Sequence, residues 1–161
     1  MLSVIRSLRE LNFSQLMDVY LEGNLDKAEE GLSLLEAEQD FYRYLQEVFF
    51  PTPGAVYCIW SEDGCYVSAL RLEPYRDGWL LEALETAPKH RRRGYGRRLL
   101  EAVIHMPEFQ KIYSHIHRNN AASLALHEVC GFRRILDYGV YIDGSVNRHT
   151  FTYVYQSCKS E

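Results

Sequence analysis

Several features of common protein classes are missing from this 161-residue chain. No apolar run approaches the roughly 20 residues of a membrane-spanning helix, and residues 1–9 lack a cleavable hydrophobic signal. The four cysteines show neither a CxxC pair nor zinc-ligand spacing, and the six histidines form no ligand cluster. The sequence therefore predicts reduced thiols in a cytoplasmic protein, with no membrane association and no metal.

The composition is that of an ordinary globular protein, with 47% hydrophobic and 25% charged residues. A chain of 161 residues can bury most of its apolar surface, so we expect one domain over residues 1–161. The net charge of −4 argues against a nucleic-acid binder. Residues 89–98 are locally basic, however, which leaves a basic-loop nucleic-acid module as a rival interpretation.

That basic segment contains two glycines, Gly94 and Gly96, between a strand-like and a helix-like run. Glycine lets the backbone approach a ligand without a Cβ in the way. The first turn of a helix presents unpaired N–H groups and the positive end of the helix dipole. The pattern therefore predicts a site for a phosphate-bearing ligand.

Two familiar phosphate motifs do not fit this loop. Arg97 and Arg98 stand where a P-loop has lysine and serine or threonine, and Leu99 occupies the third-glycine position of a dinucleotide fingerprint. The pattern Arg91-x-x-Gly94-x-Gly96 instead resembles the pyrophosphate loop of the GNAT superfamily of acetyl-CoA-dependent N-acetyltransferases.

A second segment strengthens the resemblance. Residues 120–132 are similar to that family's Asn-x-x-Ala/Ser-x-x-x-Tyr-x-x-x-Gly-Phe helix, with Asn120 and Ser123 in place and His127 where tyrosine is commoner. The two segments have the family's order and spacing.

Periodicity and turn residues predict the order β-α-α-β-β-β-α-β-α-β-β. The predicted strands are residues 2–6, 55–60, 65–73, 79–86, 111–117, 135–142 and 149–155, and the predicted helices are residues 12–30, 36–50, 99–106 and 120–131. This is an α/β (α+β) chain with a mixed sheet and helices on both faces. The resemblance implies that the sheet is mostly antiparallel and GNAT-like.

The resemblance also implies acetyl-CoA as co-substrate and a set of residues that hold it. The loop amides would bind the pyrophosphate, the arginines the 3′-phosphate, the end of the fourth strand the pantetheine arm, and the Thr86 amide the thioester carbonyl. The implied cofactor-binding residues are Glu85, Thr86, Ala87, Arg91, Arg92, Arg93, Gly94, Tyr95, Gly96, Arg97, Asn120 and Ser123.

Candidate catalytic residues are Glu82, Glu85 and His127. The acceptor amine must lose a proton, so a carboxylate within reach would serve as general base. In a regular strand Glu82 shares a face with Leu84 and Thr86, which favours it over Glu85 unless a bulge changes the parity. Water remains the alternative base. His127 is a candidate acid for the leaving thiolate, or a residue that only packs.

The expected function is transfer of an acetyl group from acetyl-CoA to a primary amine by direct attack in a ternary complex. The alternative is a catalytically silent acyl-CoA-binding sensor of the same fold. The expected partners are a small-molecule or peptide amine, with a homodimer left open, and neither nucleic acid nor membrane.

Overall fold

A computed structural model describes residues 1–158, which form one seven-stranded sheet, a two-stranded hairpin and five α-helices. The strands are β1 (Leu2–Ile5), β2 (Val56–Glu62), β3 (Cys65–Tyr75), β4 (Gly78–Thr86), β5 (Lys111–His117), β6 (Arg133–Leu136), β7 (Gly139–Val140), β8 (Val146–Asn147) and β9 (Thr150–Gln156). The helices are α1 (Phe13–Val19), α2 (Leu21–Glu29), α3 (Leu34–Tyr44), α4 (Tyr95–Ile104) and α5 (Ala121–Val129).

The large sheet has the order β1-β2-β3-β4-β5-β9-β6, and every neighbouring pair in it is antiparallel except β4 and β5. The two parallel strands pair only at their starts, from Trp79 opposite Ile112 to Leu81 opposite Ser114. Beyond Leu81, no further pairing between them occurs in the described part of the chain. A gap therefore separates the C-terminal parts of β4 and β5 in the middle of the sheet.

A hydrophobic core lies on each face of the sheet. On one face α4 buries Leu99, Leu100, Val103 and Ile104 against the central strands, as its 3.6-residue apolar spacing predicts. On the other face Leu16, Leu45 and Phe49, from α1 and the π-helical turn after α3, pack against β2 and β3. The mixed, mostly antiparallel sheet with helices on both faces is confirmed.

A β-bulge in β4 changes which residues share a face. Glu85 pairs with Ala69 but Glu82 with Arg71, so two residues of β4, Ala83 and Leu84, oppose the single Leu70. Ala83 has φ +52°, the left-handed conformation that one residue of a bulge adopts. The regular alternation expected for this strand is wrong. Glu82 and Glu85 share the face that carries α1–α3, and Thr86 lies on the α4 face.

Some element boundaries differ from the predictions for identifiable reasons. The single helix expected over residues 12–30 is interrupted at Tyr20, which ends α1 and begins α2. The helix expected over residues 36–50 becomes a π-helical turn after Tyr44. The strand expected over residues 135–142 divides into β6 and β7, and Gly144, at φ +85°, lies between β7 and β8. Among residues 1–158, no helix has the length and apolarity needed to cross a bilayer.

Candidate active site

The glycine loop connects the end of β4 to the start of α4. Gly94 is the N-cap residue of α4, has φ +77°, and offers no side chain to cap the helix. Arg92, two residues earlier, is also left-handed, at φ +61°. The first turn of α4 thus keeps its N–H groups for a ligand, as the sequence predicts for a phosphate site. The strand and the loop occupy the predicted positions, but α4 begins at Tyr95, four residues before the predicted start at residue 99.

Gly96 packs closely against its neighbours in addition to lying in the loop. A Cβ built on Gly96 would lie 3.3 Å from the Thr86 Oγ1 and 3.8 Å from a methyl group of Leu126. The first contact is tighter than usual, so a side chain here requires Thr86 or α4 to shift by a few tenths of an ångström. The second glycine therefore lets the helix start approach the strand end.

The arginines of the loop differ in what they bind. Arg91 forms an ion pair with Glu22, its Nη2 lies 3.7 Å from the Glu85 carboxylate, and its Nε donates to the Thr86 carbonyl oxygen at 3.3 Å. Arg97 donates to Glu101 at 2.7 Å. Within residues 1–158, Arg92 and Arg93 form no ion pair with the protein. Their charges are thus available to an anionic ligand.

A cavity of about 570 Å³ lies beside this loop, between the ends of β4 and α5. Its lining brings together most of the predicted cofactor-binding residues, namely Glu85, Thr86, Arg91, Arg92, Gly94, Tyr95, Gly96, Arg97, Asn120 and Ser123. Two predicted residues lie outside this lining. Arg93 is exposed elsewhere on the loop, and Ala87 is buried with its N–H bonded to the Val67 carbonyl at 2.9 Å.

The free edge of β4 faces this opening. The Ala87 N–H is used by β3, and the Glu85 carbonyl accepts from Ser68 Oγ at 2.8 Å. Because successive residues of a strand point their backbone groups to opposite edges, the N–H groups of Leu84 and Thr86 point away from β3. An extended ligand can pair with them as an added strand would.

A smaller cavity of about 190 Å³ occupies the gap between the diverging β4 and β5. It is lined by Leu81, Glu82, Ala83, Leu84, Glu85, Ser114, His115, Ile116, His117, Asn120, Ser123 and His127. Leu84, Glu85, Asn120 and Ser123 line the loop cavity as well, so the two spaces are adjacent. Asn120 also caps α5, because its Oδ1 accepts from the Ser123 N–H at 3.1 Å.

His127 lies under this gap and is 1% exposed. Its Nδ1 is 2.7 Å from the Ser123 carbonyl oxygen, which can only accept, so Nδ1 carries the hydrogen. Its Nε2 then accepts from the Ser114 hydroxyl at 3.1 Å. Burial lowers the pKa of His127. The side chain is therefore a neutral imidazole that reaches the gap through Ser114.

Ser114 is a polar site residue that sequence reasoning did not single out. It sits at the last paired position before β4 and β5 diverge, and it is buried. The one signal was a serine among the alternating apolar residues of β5.

The two glutamates of β4 both line the gap, but their surroundings differ. Burial raises the pKa of Glu82 to about 7, with a further contribution from Glu73, while Arg71, whose Nε is 3.9 Å away, lowers it. Burial also raises the pKa of Glu85, and Arg91 opposes the shift. At neutral pH Glu82 is balanced between its two forms, which suits a general base.

A third cavity, of about 420 Å³, opens on the α2–α3 side of β4. It is lined by Tyr20, Gly23, Asn24, Lys27, Asp40, Phe41, Tyr44, Arg71 and Ala83. Ala83, the bulge residue, also lines the gap between β4 and β5, so this cavity adjoins the gap. Tyr44 of α3 lines it, whereas Tyr42 of the same helix lies outside it and is 40% exposed. Arg71 and Tyr20 were missed, because each is brought here by the tertiary fold.

A sheet that opens between two parallel strands, beside a glycine-arginine loop and an uncapped helix start, defines a protein that binds an extended, phosphate-bearing cofactor. The comparisons agree with this class. A model described as the acetyltransferase (GNAT) family matches residues 17–132. The chain belongs to the GNAT family, and it is an acetyl-CoA-dependent N-acyltransferase.

Solved structures share the whole fold at low sequence identity. An acetyltransferase from Thermus thermophilus superposes with a TM-score of 0.66 at 21% identity, covering 97% of each chain. The ribosomal-protein-S18-alanine N-acetyltransferase of Escherichia coli gives 0.65 at 18% identity, covering 100% of this chain and 97% of its own. The PaiA N-acetyltransferase of Thermoplasma acidophilum, solved with coenzyme A, gives 0.58 at 13% identity, covering 97% of this chain and 99% of its own.

No curated protein matches the sequence. Across residues 1–158, no group of three or more histidine, cysteine, aspartate or glutamate side chains is arranged to hold a metal ion.

Proposed function

We propose that this enzyme transfers an acetyl group from acetyl-CoA to a primary amine by direct attack within a ternary complex. The observation that carries the proposal is the bulge at Ala83, which lines both the gap between β4 and β5 and the cavity beside α2 and α3. A thioester in the gap and an amine in the cavity would meet there. We treat residues 1–161 as one domain that does this.

The free backbone and the free charges support the cofactor half of the proposal. Amides of residues 91–96 would hold the pyrophosphate, with Arg92, Arg93 or Arg97 at the 3′-phosphate. The free edge of β4 at Leu84 and Thr86, beside Asn120 and Ser123, would pair with the pantetheine arm. Acetyl-CoA supplies the activated acetyl group when bound, and the Leu84 or Thr86 N–H would stabilise charge developing on the carbonyl oxygen.

Glu82 would remove the proton from the attacking amine, directly or through a water. The new C–N bond forms as the C–S bond breaks, so the amine loses one proton and the thiolate gains one. Glu85, which shares the face of Glu82, is the second candidate base. His127 would supply the proton to the thiolate only in its imidazolium form, in which Nε2 carries a hydrogen and donates it to the Ser114 oxygen while the Ser114 hydroxyl passes its own proton to the thiolate.

The experiment is an acetyl-transfer screen that detects released CoA thiol over a panel of amines, with CoA binding measured in parallel by calorimetry. The panel includes small amines and peptides with a free N-terminal alanine, since one solved relative is named for such an acceptor. Transfer to at least one amine supports the proposal. Binding of CoA without transfer to any amine would instead support the alternative function, a catalytically silent acyl-CoA-binding sensor.

A further inference from the structure

We propose that the acceptor amine carries a carboxylate, and that Arg71 binds it. The inference rests on the proposed acetyl transfer and names the substrate class of the cavity beside α2 and α3. The acceptor would thus be amino-acid-like, with its anionic end at Arg71 and its amine at the bulge of β4.

Three aromatic rings pack around the guanidinium of Arg71. Its side chain is only 16% exposed. Its central carbon lies 5.1 Å from the centre of the Tyr44 ring, 5.7 Å from that of Phe49 and 6.0 Å from that of Phe41. These rings, from α3 and the π-helical turn after it, fix the guanidinium in place through cation–π contacts.

The hydrogen-bonding capacity of Arg71 is unfilled. A guanidinium has five N–H donors, yet in the described chain its Nε is buried with no hydrogen-bond partner. The nearest carboxylate oxygen, Glu82 Oε2, is 3.9 Å away and is itself buried without a partner. A buried charge without hydrogen bonds is costly. Because Nε is buried and faces Glu82, an anionic ligand would meet the Nη end of the guanidinium.

The negative charge that the protein itself places beside Arg71 is weak. Burial raises the pKa of Glu82, so near neutral pH this carboxyl is protonated for part of the time. The other charged residues that line the cavity are Lys27 and Asp40, and Asp40 lies 3.4 Å from Arg43. The lining thus carries two cationic side chains, Arg71 and Lys27, against the single carboxylate of Asp40, with Glu82 and Glu73 beside it, which places the positive charge that an anion needs at Arg71.

The distance from Arg71 to the reacting centre is short along the sheet. Arg71 pairs across the strands with Glu82, the residue just before the bulge at Ala83. An acceptor whose carboxylate is bidentate to Arg71 would place an amine a few bonds away at the gap, next to the glutamate that would deprotonate it. A carboxylate at this position both orients the amine and satisfies the guanidinium.

The test uses pairs of acceptors that differ only in this group, such as an amino acid and its carboxamide, with kcat/KM for each. The wild-type enzyme should prefer the carboxylate at least tenfold, chiefly through KM. Arg71→Met should reduce that preference to about one, and CoA affinity should stay unchanged. Arg134→Met is the matched control, because Arg134 contacts the Phe151 ring on β9, away from all three cavities, and its preference should equal that of the wild type.

Each other outcome overturns the inference. An enzyme that acetylates amines without a carboxylate preference removes the inference and leaves the proposed function standing. A preference that persists in Arg71→Met assigns the anion to another residue. Should Arg71→Met not fold, Arg71→Lys replaces it as the test, because lysine keeps the charge but lacks the planar guanidinium. The preference for the carboxylate acceptor over its carboxamide must then fall at least threefold. CoA binding without any transfer removes both proposals.

Discussion

The hydroxyl of Tyr20 donates a 2.7 Å hydrogen bond to the carbonyl oxygen of Ala83, the residue of the β4 bulge. The Tyr57 hydroxyl donates in turn to the Tyr20 oxygen at 2.9 Å. Burial raises the pKa of both phenols, that of Tyr57 to about 12, so both remain protonated donors. The interruption between α1 and α2 thus fixes the strained residue that joins the two halves of the site.

Tyr20→Phe should loosen this bulge. Removing the hydroxyl leaves the Ala83 carbonyl without its donor and the Tyr57 hydroxyl without its acceptor, so we expect unfolding to become about 1–2 kcal/mol easier. The value of kcat should fall about tenfold with little change in CoA affinity. Urea unfolding and steady-state kinetics measure the two effects.

The control for this variant is Tyr42→Phe. Tyr42 is an exposed tyrosine of α3 whose ring lies edge-on to Phe13, with ring centres 5.0 Å apart, a contact that phenylalanine keeps. Equal behaviour of the two variants would show that the Tyr20 hydroxyl does not hold the bulge.

Gly94→Ala should weaken CoA binding more than it weakens the fold. A Cβ here meets no atom within 4 Å, but the backbone has φ +77°, which alanine adopts only with strain of about 1 kcal/mol. A shift out of that conformation redirects the amides at the start of α4. We expect the Kd for CoA to rise at least tenfold, about 1.4 kcal/mol, by calorimetry.

Gly64→Ala provides a close match for this experiment. Gly64 also has φ +77° with open space around its Cβ position, but it lies in the turn between β2 and β3. Both variants should lose similar stability, and only Gly94→Ala should lose CoA affinity. A wild-type Kd for CoA in Gly94→Ala would show that this loop does not bind the phosphates of CoA.

Glu82→Gln should remove the ascending limb of the pH profile. A general base acts only when deprotonated, so kcat/KM should rise with pH until it passes the pKa of Glu82, which burial raises to about 7. The variant should lose this limb and about 100-fold in kcat/KM. Profiles of wild type and variant with the same acceptor cancel the titration of the amine itself.

Glu85→Gln separates the candidate bases, because Glu85 lines the same gap. It should keep the limb that Glu82→Gln loses. If only Glu85→Gln loses the ascending limb of the pH profile, Glu85 is the general base. If both variants keep this limb, water is the base.

His127→Ala tests the route of the second proton. If His127 in its imidazolium form supplies the proton of the leaving thiolate through Ser114, both His127→Ala and Ser114→Ala should lower kcat about 100-fold without changing the Kd for CoA. Because burial lowers the pKa of His127, this acid would make kcat fall with rising pH already below the usual histidine range. Near wild-type turnover in both variants would mean that water protonates the thiolate.

The sequence predicts the parts of this site that are encoded locally. The loop from Arg91 to Gly96 and the cap at Asn120 each depend on a few consecutive residues, whose turn and helix chemistry can be read directly. The buried face of α4, with Leu99 and Val103, follows from its 3.6-residue period. The sequence therefore places these features along the chain, although α4 begins at Tyr95, four residues before its predicted start.

The bulge and the cavity beside α2 and α3 could not be predicted in this way. Nothing in the alternation of β4 marks Ala83 as the extra residue, because the register is set by β3 and by the Tyr20 hydroxyl, 63 positions away in the chain. Arg71 reads as a polar residue on a strand until α3 covers it with aromatic rings. The side of the site proposed to select the acceptor is built from such distant contacts.

The short pairing between β4 and β5 leaves the hydrogen-bond ladder of the sheet interrupted. Three residue pairs, ending at Leu81 and Ser114, join the two halves of the sheet, so the N–H groups of Leu84 and Thr86 have no partner strand on that side. A ligand that pairs with this edge completes the hydrogen-bond ladder, and its departure opens the ladder again. In the proposed reaction each turnover would therefore make and break a strand-like contact along β4, and product release would include the loss of these hydrogen bonds.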